Sequence, residues 1–315
     1  MPLNFSFNNP RFSIQAFSPK KKRNQLILSI FVIFLTLVIL GILIYREREV
    51  LLSYQWELRL LPALLSFVLF SIALLLAGLL WGWINRKLGS NINYFTHIQY
   101  YISSNLTKRI PGTVWYVAQR AQLYNSDGID MKFTSIASGV ELTLIIISGI
   151  IISLLFAIQI LVDYMIGLWL FIGVFLIGII IIHPNVLAFI FRRFKVKAPR
   201  LDYRNIFLWL LSYGLLWIIG GVVLFCIGNT ITNIPIEYIG YIIGSWALVG
   251  ILSSLLFFSP SNFGITEIGL SVLLANIMPL SVGIIIAIIS RILIIVYEIF
   301  WALAVVGYQS LSEKK

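Results

Sequence analysis

The chain is 315 residues long, 60% hydrophobic and only 11% charged, with a mean hydropathy of +0.97. A soluble domain carries about 25% charged residues, so this composition excludes an ordinary water-soluble core. The net charge of +11 raises the question of nucleic-acid binding, but the basic residues fall in short clusters between apolar runs, as orientation signals and lipid head-group contacts do.

Residues 1–25 are polar and basic. The apolar run that follows is longer than the ~7–15 residues of a cleaved signal core, and no small-x-small site follows it, so it reads as an uncleaved signal anchor. Uncharged runs at 26–45, 60–83, 142–162, 164–183, 205–228 and 238–258 are each long enough to cross ~30 Å of hydrocarbon as a helix. Residues 268–280 are shorter, and 282–308 form a long run that holds Arg291 and Glu298. The expectation is an all-α, polytopic transmembrane bundle of about eight membrane segments with two broken or re-entrant helices. A single membrane domain, 26–308, then lies between a cytoplasmic basic tail, 1–25, and a cytoplasmic C-terminal tail, 309–315.

Orientation follows from the cations. Nineteen of the 23 Lys and Arg lie in the N-terminal tail, between residues 86 and 132, between residues 192 and 204, and at the C-terminus. If the segments alternate, all four groups share one side. The other side keeps Arg46, Arg48 and Arg59 beside Glu47, Glu49 and Glu57. This is the positive-inside pattern. It predicts a multi-pass protein of the cytoplasmic (plasma) membrane with both termini in the cytoplasm.

Two polar breaks stand out. The first is Lys108-Arg109-Ile110-Pro111-Gly112, followed by Trp115 and Arg120. The stretch 84–133 is too apolar for a flexible loop and too interrupted for one span, so interfacial or re-entrant helices turning at Pro111-Gly112 are expected. After the turn, Val114, Val117, Ala118 and Ala121 recur at helical spacing and predict one apolar face. The second break is Ser259-Pro260-Ser261-Asn262-Phe263-Gly264-Ile265-Thr266-Glu267. Pro260 stops one helix, Gly264 frees the backbone, and Glu267 falls in the first turn of the next helix, where its charge suits the dipole. Backbone breaks at membrane depth are tolerated where they line a cavity or binding site. Their plain alternative is a capped helix start after a tight loop.

Three ionisable residues fall within spans: Glu141, Arg291 and Glu298. Such residues usually face the bundle interior and are paired. Arg291 and Glu298 are two turns apart on one helix face. Glu141 is placed near the cytoplasmic start of its helix. A structural ion pair of Arg291 with Glu267 or Glu141 competes with a role in binding a head group or coupling protons. Cys226 is alone in an apolar run, and His97 and His183 are far apart without ligand-spaced partners, so neither a disulfide nor a metal site is expected. The sequons at Asn4 and Asn105 map to the cytoplasmic side and read as chance.

These residues resemble a known family. Pro111-Gly112, Trp115 and Arg120 are similar to the first signature of the flippase-like membrane domain of lysylphosphatidylglycerol synthases. Glu141 resembles the glutamate of its following helix. Pro260, Gly264 and Glu267 resemble the second signature, and Arg291 an arginine in the last helix. The likeness spans roughly residues 20–310. Ser261-Asn262 replaces the usual glycine pair, Thr266 stands where a basic residue is frequent, and the aminoacyltransferase domain is not present. The resemblance therefore implies a stand-alone flippase-like protein and not lipid aminoacylation.

The expected function is non-enzymatic binding or translocation of an anionic lipid or lipid-linked saccharide, with no cofactor and no nucleic-acid partner. Its partners would be membrane lipids, an anionic phospholipid or polyprenyl-linked glycan, with a cytoplasmic transferase as a further candidate. The binding set is Lys108, Arg109, Pro111, Gly112, Trp115, Arg120, Glu141, Pro260, Asn262, Gly264, Glu267 and Arg291. The cations would offset phosphate charge, and Glu141 and Glu267 would position them or bind a polar head group. No ATP-binding motif is present, so active transport would draw on an ion gradient or a partner. Two rival readings are a membrane-embedded polyprenyl-phosphate-dependent glycosyltransferase and a non-catalytic scaffold holding a soluble transferase through the 191–204 loop.

Overall fold

The computed structural model describes residues 38, 41–105, 107, 115–158, 165–196, 201–255 and 264–312. Among these residues the structure is helical, with no strand. In chain order the helices are α1 (Arg48–Ser53), α2 (Leu60–Lys87), α3 (Tyr94–Asn105), α4 (Trp115–Ser126), α5 (Met131–Phe156) and α6 (Met165–Ile182). They continue with α7 (Pro184–Arg193), α8 (Tyr203–Ile231), α9 (Ile239–Leu255), α10 (Ile265–Leu274) and α11 (Leu280–Ser312).

Five of these elements, α2, α5, α8, α9 with its leading 3-10 turn, and α11, are long and apolar enough to cross a membrane. A sixth candidate is α6 with α7, a pair bent by 66°. The bend falls at His183, whose extended backbone precedes Pro184, a position the proline ring biases away from helix. Length and composition thus fit an integral, multi-pass membrane protein. The described residues hold five or six spans against the expected eight. Residues 26–37, which begin the first predicted segment, lie outside them. The segment at 268–280 is not a span: α10 has ten residues, about 15 Å at the helical rise, and the chain turns at 275–279 before α11.

The outer faces are apolar in the manner of lipid contact. Leu61, Leu64, Leu65, Val68 and Ile72 are exposed on α2, and Phe207, Leu211 and Leu215 on α8. On α11 the exposed stripe is Ile292, Val296, Ile299 and Leu303. Each set recurs every three or four residues, so each is one helix face. The opposite faces of the long helices pack inward around Trp81, Leu144, Trp209 and Ile227, all fully buried.

Glycines let two of the long helices approach closely. A Cβ on Gly221 of α8 would strike the Ile243 backbone of α9. Trp217 of α8 rests against Gly250 of α9, and Trp246 of α9 rests against Gly220 of α8. The bundle has two recognisable ends. At one, the connections 89–92 and 127–130 meet Lys195 and Val196 around a hollow. At the other, the extended segment 54–59 closes the C-terminus of α8: Glu57 and Arg59 N–H groups donate to the carbonyls of Ile231 and Thr230 at 3.1 and 2.8 Å. These carbonyls belong to the last turn, which has no partners of its own within the helix.

Candidate functional site: two ion pairs and a cavity

Helices α3 and α4, 12 residues each, pack beside one another, with residues 89–92 before α3 and 127–130 after α4 at the first end. Their inner portions meet where Arg120 Nε of α4 donates to Ser104 Oγ of α3 at 3.1 Å. Arg120 also donates to Glu141 of α5 at 2.5 Å. The guanidinium is 0% exposed and the Glu141 side chain 3%. Arg120 lies 4.2 Å from the Trp81 ring centre, 4.7 Å from Tyr101 and 5.3 Å from Tyr116. Aromatic faces replace part of the hydration the cation has lost. Tyr213 of α8 donates to the second Glu141 oxygen at 3.3 Å.

Two expectations change here. Glu141 is not near the start of its helix, because α5 begins at Met131; it lies ten residues in, about 15 Å along the axis. Nor is the buried face of α4 the one the spacing suggested. Ala121 is buried, but Val117 and Ala118 are half-buried, and Arg120, Leu123 and Tyr124 complete the inward face. A polar network takes the place of an apolar stripe. Tyr124 accepts from Trp81 Nε1 at 2.8 Å and bonds His97 Nδ1. His97 is fully buried. Burial, then the charge of Arg86, lowers its pKa from 6.5 to about 4 against the weaker, opposite effect of a hydrogen bond to the Ile92 backbone carbonyl.

The second pair lies in the other half. Gly264 precedes α10 with φ +97°, a conformation open to glycine and costly to other residues. Its N–H donates to Glu267 Oε2 at 2.6 Å, so the first-turn carboxylate folds back on the helix start. The other Glu267 oxygen is 3.1 Å from Arg291 Nη1 of α11. Glu267 is 2% exposed and the Arg291 side chain 16%. Arg291 lies eleven residues into α11, so α10 begins about 16 Å below that end of the bundle.

Arg291 faces a half-open cavity of about 410 Å³ lined by residues of α2, α3, α5, α8, α9, α10 and α11, a size within the ~300–1,000 Å³ of small-molecule sites. Glu298, Thr266, Ser253, Ser254 and Ser290 give its wall polar groups, and Trp217, Trp246 and Phe70 give it aromatic ones. Tyr101 and Tyr213 line it too, so the residues that hold the Arg120–Glu141 pair also form part of the cavity wall.

Of the sequence-derived set, the structure joins Arg120 to Glu141, and Gly264 to Glu267 and Arg291. Trp115 opens α4 and is half-buried. Lys108, Arg109, Pro111, Gly112, Pro260 and Asn262 lie outside the described residues. Arg291 and Glu298 do line one stripe of the cavity. The set omitted Tyr101, Tyr213, Trp217, Trp246 and the serines. Ser253-Ser254 within an apolar run, and tryptophans spaced to meet glycines on the next helix, were the signals available. Among the described residues no group of three His, Cys, Asp or Glu is placed to hold a metal ion. No protein-family model matches the chain, and no curated protein sequence matches it.

Proposed function

We propose that this protein binds, and by binding translocates, an anionic lipid or lipid-linked saccharide across the plasma membrane. The observation that carries the reading is the cavity: a mainly apolar space with a charged, hydroxyl-bearing stretch of wall, held among helices whose outer faces are apolar. A lipid head group can enter such a space while its tails stay among the exposed leucines and isoleucines outside. The contact of Ser104 and Arg120 beside Glu141, ten residues into α5, and of the α10 start beside Arg291, eleven residues into α11, supports a reading of two broken helices of the kind that form mid-membrane sites. Resemblance to the flippase-like domain of lysylphosphatidylglycerol synthases supports the same reading. Arg86, Lys87 and Lys132 beside the connections 89–92 and 127–130, with the basic residues of 192–204, support a cytoplasmic placement of that end and of both termini.

The test is mass spectrometry of lipids that stay with the detergent-extracted protein. One polar-headed lipid class should be enriched over the source membrane, and Ser254→Phe, which fills the cavity, should abolish the enrichment while the protein still unfolds cooperatively. A lipid profile matching the bulk membrane, or one unaffected by Ser254→Phe, would overturn the reading.

A further inference from the structure

Granted that the cavity is the binding site proposed above, one residue of its wall has bonding capacity that the protein leaves unused. Asn105 ends α3 and lines the cavity. Tyr101, four residues earlier, lines it too, so α3 turns one face to the space. Asn105 is 7% exposed, and its Oδ1 has no hydrogen-bond partner. An orphaned acceptor in a buried place costs stability, and a binding role is one explanation that gives the cost a use. Asn85 and Ser245 also hold orphaned atoms, but neither lines the cavity. At Asn105 the adjoining space gives a partner room.

The carboxamide joins an acceptor oxygen to a donor nitrogen. Its last torsion is soft and two-fold, so a half-turn presents either atom to the cavity. A hydroxyl serves both, donating to Oδ1 or accepting from Nδ2. A phosphate oxygen serves only the nitrogen, and a methyl group serves neither. Tyr101, Ser253 and Thr266 put further hydroxyls on the wall, each able to donate or accept. Phe70, Leu74, Leu216 and Val249 belong to the apolar remainder, which suits the carbons that carry such a hydroxyl.

We infer that Asn105 is a head-group contact, and that it selects a lipid whose head group bears a hydroxyl, on a glycerol or on a sugar.

The test uses full-length protein in an amine-oxide detergent, which carries no hydroxyl. Tryptophan fluorescence is titrated with phosphatidylglycerol, with a monohexosyl diacylglycerol and with phosphatidylmethanol. The last keeps the phosphate and charge of phosphatidylglycerol and replaces its glycerol head by a methyl group. At least one hydroxyl lipid should bind about tenfold more tightly than phosphatidylmethanol, the worth of one hydrogen bond. The tighter of the two names the source, glycerol or sugar. In Asn105→Leu that preference should vanish, while the protein unfolds at the wild-type temperature or above it, because a leucine of similar size removes the orphaned acceptor. Phosphatidylmethanol binding as tightly as both, or a preference that Asn105→Leu keeps, would overturn the inference and leave the lipid-binding function standing. A preference lost together with a lower unfolding temperature would mark Asn105 as structural and overturn it too. Binding by none of the three would overturn both. Should Asn105→Leu fail to accumulate, Asn105→Ala decides by the preference alone: kept, the inference falls; lost, it stands.

Discussion

Two arginine–glutamate pairs tie a short helix to a long one, and they differ in what surrounds them. In the first, the arginine is on the short helix α4 and the glutamate on α5; in the second, the glutamate is on α10 and the arginine on α11. Arg120 is fully enclosed, with three aromatic rings and a serine around it. Arg291 looks onto a cavity and keeps 16% of its side-chain surface. The same chemistry thus has two uses. Where the surroundings are dry, removing one partner strands a charge that nothing can solvate. Where a cavity adjoins, water or a ligand can take the missing partner's place, and the pair serves as wall rather than lock.

The difference predicts unequal damage. Arg120→Ala leaves Glu141 with Tyr213 as its remaining described partner, and the cost is about 3–5 kcal/mol. Thermal unfolding in detergent should show a large loss of stability or a protein that fails to accumulate. A near-normal melting temperature would break the contrast, for it would mean the first site is as hydrated as the second. Glu267→Gln should cost less, about 1 kcal/mol, because the amide oxygen still accepts from Gly264 N–H and Arg291 has the cavity beside it. Equal destabilisation by Glu267→Gln and Arg120→Ala would contradict the assignment.

The smallest effect concerns pH and sharpens the picture of the dry half. His97 is held neutral, its pKa lowered from 6.5 to about 4, so the unfolded chain binds a proton that the folded one refuses. Its contribution is complete above pH 6.5 and is lost as pH falls from 6.5 through about 4. Unfolding followed by denaturant over that window should show stability falling with acid, and His97→Gln should flatten the slope. An unchanged slope in His97→Gln would show that His97 is solvated after all.

Some of this was legible in the sequence. Arg291 with Glu267 was foreseeable because isolated charges in apolar runs need partners, and Pro260 with Gly264 marked where one helix ends and another begins. The long spans were readable from hydropathy, since lipid-facing and core-facing residues are both apolar. That same uniformity hid which face of α8 or α11 turns inward. Tyr213, Trp217 and Trp246 look like ordinary apolar residues of a span until the glycines on the neighbouring helix give them a place. The depth of Glu141 is not legible in the sequence because Met131–Val140 is too mixed to read as membrane helix, although Asp130 accepts from the Lys132 N–H at 2.8 Å and starts α5 there. Arg120 is legible as a cation but not as a buried one: two of the rings that enclose it, Trp81 and Tyr101, come from α2 and α3, far from it in sequence.

The measurement that tests the central claim compares two neutralised pairs. Arg120→Met/Glu141→Gln removes both charges of the enclosed pair and keeps an oxygen for Tyr213. Arg291→Gln/Glu267→Gln removes both charges of the cavity pair and keeps an oxygen for Gly264. Each variant, once shown to unfold cooperatively, is extracted and its retained lipid quantified by mass spectrometry. The account predicts that the first variant retains the lipid found with the wild type and that the second loses most of it. Retention by the cavity-pair variant together with loss from the enclosed-pair variant would contradict it.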